Sequence, residues 1–339
     1  MCGEKMLIYL KPLSIFPELH SDTLFGAIVY AINELYPEIT NDMISAFEDE
    51  PPFILSSTFP FIFNNNSDKD FKDTKKIKFF PKIIFPQSKD EENIKVNPKN
   101  YKEYKKVDFI EDSIFFKLNS GKLSESEILK DFKSYTRIKG LLLNKGTKIN
   151  DNIQVSYGEN IIPNNSINRI TNETNDIFYT SGNEFKNIGL FFFVEFYDES
   201  YMPLVKGAIK FLRDRGFGKD ISTGKGQFDY YIDDDYEIES EYEFNSDSKY
   251  NYFINLSRFI PNKEDLNHID KNSNYEIGSK RGRSSSNEIR KQVRFFKEGS
   301  IFPQYEKYYG RIIKSGKINP AVEYGFAYPL KCINVNGGK

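Results

Sequence analysis

The sequence predicts an α+β protein made of two ferredoxin-like, RRM-like βαββαβ domains, with a long insertion in the first. Three observations carry that expectation. Strand and helix patterns alternate in the ferredoxin order once residues 64–186 are set aside; a glycine-rich loop joins the second helix to the last strand; and a run of short strands follows an acidic divider. The expected boundaries are 1–240 for the first domain, with the insertion 64–186 and the loop 213–228 inside it, and 250–335 for a smaller, degenerate second copy.

Each element has its own local cause. Lys5 to Leu10 alternates into an apolar strand, and Pro12 and Pro17 punctuate the connection after it. Ser21-Asp22-Thr23 offers an N-cap for a helix from Leu24 to Tyr36, where Leu24, Ile28, Ala31, Ile32 and Leu35 share a face and Pro37 ends the run. Thr40 to Asp49 adds a short helix, and Phe53 to Phe63 reads as one or two strands. From Asn64 the texture changes to an exposed, Asn- and Lys-rich loop reaching Lys78, with Phe79 to Phe85 a short extended piece. Ser124 caps a helix to Lys133 that turns Ile128, Leu129 and Phe132 inward. Residues 140–180 are polar and rich in Asn, with Asn164–Ile170 and Asp176–Thr180 as the arms of a protruding hairpin. A strand over 188–197, a helix over 203–213 and a strand over 227–232 complete the first domain. The second holds a strand over 252–259, a short helix over 263–269, and strands near 274–278, 292–296, 308–313 and 324–333.

The chain has 339 residues, is 16% aromatic without tryptophan, and carries a formal net charge of −2. That near-neutral total hides segregation. Residues 206–226 hold Lys206, Lys210, Arg213, Arg215, Lys219 and Lys225 against Asp214 and Asp220, and residues 280–297 hold seven cations against Glu288 alone. Two basic segments of this kind are an expected nucleic-acid footprint. Cys2 and Cys332 are too few for a disulfide framework, and no apolar run approaches a membrane span, so a cytoplasmic protein without a membrane partner is expected.

The loop Arg213-Asp-Arg-Gly216-Phe-Gly218-Lys219-Asp-Ile-Ser222-Thr223-Gly224-Lys225-Gly226 combines cations with glycines that permit positive φ and close backbone approach. It follows a helix and precedes a strand, the reverse of a dinucleotide fingerprint. Gly226 also stands where a phosphate-binding P-loop needs Ser or Thr. An RNA backbone and an ordinary basic turn both remain open on the loop alone.

Four segments together resemble the RAMP superfamily of CRISPR proteins, and within it the family of subunit four of the type III-A Csm effector complex. They are His20-Ser-Asp-Thr-Leu-Phe-Gly-Ala27, Ser166-Ile-Asn-Arg-Ile-Thr171, the glycine-rich loop, and Glu298-Gly-Ser300 with Tyr324-Gly-Phe-Ala327. The resemblance runs from Lys5 to Pro329. It implies a non-catalytic RNA-binding subunit that caps the 5′ handle of the guide crRNA and contacts the guide–target duplex. It also implies protein partners, a large signalling subunit and a backbone RAMP subunit, and the inserted hairpin would act as a thumb, with Arg169 and Ile170 near its tip. The expected RNA-binding residues are His20, Ser21, Arg169, Arg213, Arg215, Gly216, Gly218, Lys219, Ser222, Thr223, Gly224, Lys225, Gly226, Arg281, Arg283 and Arg294, with loop amides on phosphates and Ser222 and Thr223 donating to phosphate or 2′-hydroxyl.

Other chemistry competes with this reading. His20 is a candidate general acid or base of a crRNA-processing endoribonuclease, since some RAMP relatives cleave guide precursors with a histidine, and its alternatives are RNA contact and helix capping. Asp22 has metal binding and helix-start complementation as its two readings. Asp233-Asp-Asp235 followed by Glu237, Glu239, Glu241 and Glu243 alternates with apolar residues, as a solvated acidic strand does. Arg281, Arg283, Arg290 and Arg294 face RNA or a solvated serine-rich loop. No metal site, cofactor or nucleophile is expected.

Overall fold

The computed structural model describes residues 3–63, 71–86, 97–149, 154–218, 221–234, 236, 251–282, 291–315 and 321–332. Among these, β1 (Glu4–Pro12), α1 (Ser21–Leu35), β3 (Phe59–Phe63), β10 (Ile188–Phe196), α6 (Met202–Arg215) and β11 (Phe228–Asp233) form the expected βαββαβ frame. The strands run β11-β1-β10-β3, every neighbour antiparallel, which is the ferredoxin-like order of fourth, first, third and second. β2 (Phe53–Leu55) also pairs with β10, so the region 53–63 is two strands. Pro37 does not simply stop α1. It opens α2 (Pro37–Asp49) at a first-turn position, where a missing N–H costs no hydrogen bond.

β10 is buried along its whole length except Glu195, because both faces of the sheet are covered. Helices α1 and α6 supply one cover, with Leu24, Ile28, Ala31, Val205, Ala208 and Leu212 in the core. The insertion supplies aromatic cover: Phe80 packs on Phe191 at 5.6 Å and on Phe193 at 6.2 Å, and stacks on Phe115 at 4.8 Å. Each buried ring contributes on the order of 2 kcal/mol by leaving water.

The insertion is therefore part of the sheet. β4 (Lys76–Pro81), β5 (Phe109–Glu111), β7 (Leu141–Asn144) and β6 (Tyr135–Ile138) extend it beyond β3, so the exposed loop expected up to Lys78 already contains β4. Helices α3 (Pro98–Tyr104), α4 (Asp112–Asn119) and α5 (Glu125–Lys130) belong to the same region. α5 begins as expected, with Ser124 and Glu127 closing a capping box. The hairpin is longer than its expected arms: β8 (Ser156–Ile167) and β9 (Thr174–Lys186) pair from Ser156–Lys186 outward.

The C-terminal part contains β12 (Tyr252–Asn255), α7 (Lys263–His268), β13 (Ile277–Lys280), β14 (Val293–Phe296), β15 (Ile301–Pro303), β16 (Ile313–Ser315), β17 (Ala321–Glu323) and β18 (Pro329–Cys332). Its central sheet, β15-β12-β18, repeats the third-first-fourth portion of the ferredoxin order. This part shares the main core. Tyr324 stacks on Phe25 at 4.8 Å and its hydroxyl oxygen accepts the Leu55 N–H at 2.7 Å, while Tyr328 stacks on Phe193 at 5.5 Å.

Candidate nucleic-acid interface

Gly216 ends α6 with a φ of 96°, its N–H still bonded to Leu212 O at 2.6 Å. The chain then turns Phe217 inward, edge-on to Phe16 at 5.4 Å and against Phe228 at 5.1 Å. Gly226 crosses directly over Phe217: a Cβ there would lie 1.8 Å from Phe217 O, and its φ of 74° already disfavours a side chain. The loop is thus a closed ring pinned by an aromatic residue. Ser222, Thr223 and Gly224 ride on its outer turn and are exposed, as is Gly218.

Several of the loop amides are bonded within the chain. The N–H groups of Gly216, Phe217, Gly224 and Gly226 donate to Leu212 O, Gly226 O, Ile221 O and Ile15 O, and Gln227 N–H donates to Ser14 Oγ. Gly216 and Gly226 are buried and shape the loop from within. Closing a tight ring buries its amides, and buried amides must find internal acceptors. Cationic side chains on the loop's flank remain outside. Arg213 and Arg215 are exposed on the last turn of α6. Arg215 lies 4.5 Å over the Tyr30 ring and donates to its hydroxyl, and Arg213 pairs with Asp214 at 3.2 Å. Lys219 lies outside the described residues.

The loop is seated on the hairpin. Lys225 donates to Thr180 Oγ1 on β9, and Phe16 exchanges backbone bonds with Asn183 at 2.9 and 3.2 Å. Gly182 lets Ile15 pass, since a Cβ there would meet Ile15 Cγ2 at 2.3 Å. The connection after β1 is thereby clamped between the glycine-rich loop and the hairpin base. Outward from that clamp the hairpin runs to a turn at Asn168–Thr171, where Asn168 Oδ1 accepts from Ile170 N at 2.9 Å. Arg169 is exposed there and Ile170 is 93% exposed.

The motif at the start of α1 faces inward. The N-cap is His20, without a side-chain cap bond, so Ser21-Asp22-Thr23 forms the first turn and not the cap. Ser21, expected to contact RNA, is fully buried and its Oγ accepts the Arg258 N–H at 3.0 Å. Asp22 is also buried; its Oδ2 meets Arg258 Nη1 at 3.2 Å and the Lys280 ammonium, and Lys280 reaches Glu323 at 2.5 Å. Burial alone would raise the Asp22 carboxyl, but Lys280 and Arg258 hold it below its ordinary value. Two protein cations thus stand where a metal would have to sit.

His20 is partly exposed and Nδ1 lies 2.9 Å from Glu298, with Glu18 3.8 Å from Nε2. Burial works against its charged form, yet the Glu18 and Glu298 carboxylates win and push the imidazole up to about 9. Arg281 and Arg294 are exposed, Arg283 and Arg290 lie outside the described residues, and Lys280 has been drawn into the seam with Asp22. Most of the acidic run, from Glu237 to Glu243, is likewise outside the described residues.

A further feature escapes sequence reasoning. A cleft of about 600 Å³ opens beside His20, with Lys82, Tyr101 and Tyr104 among its lining residues. The Lys82 ammonium lies 3.8 Å over the Tyr104 ring, and Tyr104 donates to Glu125 at 2.9 Å. Burial lowers the Lys82 ammonium from its ordinary value. A lysine inside the apolar run Phe79–Ile84 is the available signal, obscured when the region is taken as a peripheral insertion.

With this geometry in place, comparison with known proteins gives a consistent result. Residues 248–331 match the family model of the CRISPR Csm4 C-terminal domain. A chain in the crystal structure of the Csm3-Csm4 subcomplex of the type III-A CRISPR-Cas interference complex superposes with a TM-score of 0.65 at 19% identity, covering 97% of this chain and 100% of that one. Chains in crystal structures of the Csm1-Csm4 cassette in complex with cA4 and with pppApA superpose at 0.55 and 0.54, each at 16% identity and covering 97% of this chain and 98% of theirs. No curated protein matches the sequence. The C-terminal quarter thus resembles the Csm4 C-terminal domain, and the chain as a whole shares the mixed α and β fold of the chains in those structures. No helix among the described residues is long and apolar enough to cross a membrane.

Proposed function

We propose that this chain is the Csm4-type subunit of a type III-A CRISPR effector complex. In this reading it is a non-catalytic protein that holds the 5′ handle of the crRNA, contacts the guide–target duplex, and links a large signalling subunit to the filament of backbone RAMP subunits in antiviral defence. The observation that carries the reading is the clamp: a glycine-rich loop flanked by Arg213 and Arg215 is seated on the base of a hairpin whose tip presents Arg169 and Ile170. RNA can be gripped at such a place by cations on phosphates, while an apolar tip wedges against bases. The cleft with Lys82 over Tyr104 offers a cation beside an aromatic ring for a splayed nucleotide. Support for the protein partners comes from the Csm3-Csm4 and Csm1-Csm4 assemblies in which similar chains occur.

The processing endoribonuclease has weaker support. A general base must be neutral to accept a proton, and the Glu18 and Glu298 carboxylates favour the charged form of His20, which leaves it only the general-acid half of such a reaction. The test uses end-labelled RNA with the handle intact or scrambled, incubated with this chain and its backbone partner, with and without EDTA, on native and denaturing gels. The expected result is a handle-dependent shift with intact RNA, unchanged in its cleavage pattern by His20→Ala. Metal-independent cleavage lost in His20→Ala would overturn the non-catalytic reading.

A further inference from the structure

A second cleft, of about 380 Å³, opens in the C-terminal part between α7, the β13–β14 hairpin and β16. Its floor is aliphatic, with Ile260, Pro261, Val293 and Ile313, and at its edge Leu266 and Ile277 are 52% and 59% exposed. Lys291, Arg294, Arg311 and Lys314 line the same cleft, and no acidic residue among the described residues does. Lys314 is bridged to Glu48 at 2.5 Å, whereas Lys291, Arg294 and Arg311 form no ion pair among the described residues. Exposed aliphatic side chains framed by unpaired like charges mark an interaction surface.

Two chemistries suit a basic rim, a polynucleotide and an acidic peptide, and the floor decides between them. A nucleobase needs an aromatic face on which to stack. Both rings at this cleft are already covered. Phe295 lies against the backbone of Gly278, where a Cβ would come within 2.6 Å of the ring, and the Arg258 guanidinium sits 4.6 Å from its centroid. Phe296 packs among Tyr275, Phe302 and Phe259 at 4.7, 4.9 and 5.7 Å. The surface left open is branched aliphatic, which accepts Leu, Ile or Met side chains spaced along one face of a helix.

We propose that this cleft is a docking groove for an amphipathic protein helix whose apolar stripe is flanked by Asp and Glu. The aliphatic floor supplies affinity by burial, and the cationic rim steers the helix and fixes its direction. This inference does not rest on the RNA-holding reading, since the loop and hairpin share no lining residue with the groove.

The experiment titrates the full-length chain into a fluorescein-labelled synthetic helix of about 18 residues, long enough to hold helical structure, with leucines on one face and glutamates flanking them. A twin carries lysine at every glutamate position. Fluorescence anisotropy is expected to show binding of the acidic helix, with the twin bound about tenfold or more weakly. Ile277→Asp with Leu266→Asp should weaken the acidic helix by about tenfold or more. Both side chains are exposed, so an unchanged melting temperature in that variant confirms that the fold survives. Arg294→Glu with Arg311→Glu should reverse the preference between the two helices, and Arg294→Lys should restore it. Absent binding, equal binding of the twin, or displacement of the helix by a single-stranded RNA oligonucleotide would overturn the proposal; displacement by RNA would assign the cleft to nucleic acid. RNA binding through the loop, measured in Ile277→Asp with Leu266→Asp, should not change.

Discussion

The seam at the start of α1 and the outer half of the β8–β9 hairpin hold their residues in place by opposite means. In the seam, buried polar groups pair with one another, Ser21 with Arg258, Asp22 with Arg258 and Lys280, and Glu298 with His20 and Ser57, and Arg258 Nε alone is left without a partner among the described buried side-chain atoms. In the hairpin only the base is packed, where Tyr157 stacks on Phe185 at 6.3 Å. Further out, past the contacts of Asn183 and Thr180 with the clamp, the arm rests on its backbone ladder and cross-strand side-chain bonds such as Asn164 to Thr180, while Ile161, Ile167, Ile177 and Tyr179 face solvent. The usual association of polar residues with function and apolar residues with core is inverted here. The polar motif joins the two halves of the chain, and the apolar residues are those presented outward.

That contrast can be broken most decisively at Asp22. Removing this carboxylate leaves Arg258 and part of the charge of Lys280 without a counterion in the seam, so Asp22→Ala should cost about 3 kcal/mol, near the lower end for a buried pair because Lys280 keeps Glu323. Ile170→Ala at the hairpin tip should stay within about 0.5 kcal/mol, and urea unfolding of the two variants compares them directly. Similar midpoints would mean the seam does not weld the halves.

Gly226→Ala comes next, at about 2 kcal/mol, because its left-handed backbone and the Phe217 carbonyl both oppose a Cβ. The same variant should lose RNA affinity with its seat, whereas Ser222→Ala should melt as the parent does.

Arg213→Glu with Arg215→Glu acts on binding with little effect on folding. The dependence of log affinity on log salt should become shallower by about 0.7 for each phosphate of single-stranded RNA that is no longer neutralised. An unchanged slope would remove these arginines from the interface.

The smallest effect is a pH dependence specific to the seam. His20 has a folded value of about 9, raised above its ordinary value, so its contribution is fully present below about 6.5 and is lost as pH rises through 9. Thermal melting between those limits should fall with pH more steeply in the parent than in His20→Gln. Parallel profiles would show that the Glu298 contact adds no stability.

Much of the frame is legible from local pattern. The apolar face of α1 from Leu24 to Ile32, with Leu35 left exposed at its end, the Ser124 capping box and the glycines of the loop each act within a turn or two of chain. The hairpin and its tip are visible as an Asn-rich interruption, though the arms are longer than expected because a ladder extends wherever partners remain in register. The insertion is not peripheral as the sequence suggests: Lys76–Pro81 pairs with β3, and the sheet runs on through β5, which pairs in parallel with β7 about 30 residues later, a pairing with no local signature.

The sequence alone therefore determined the order of elements, the helix stripes and the basic character of the loop, since these depend on periodicity and charge along neighbouring residues. Which residues face a ligand was decided by folding. Ser21 and Asp22 have the composition of a surface motif, yet Arg258 lies 237 and 236 positions away and takes both. A buried polar group is tolerated only beside its partner, and the sequence does not show which distant residue that partner will be.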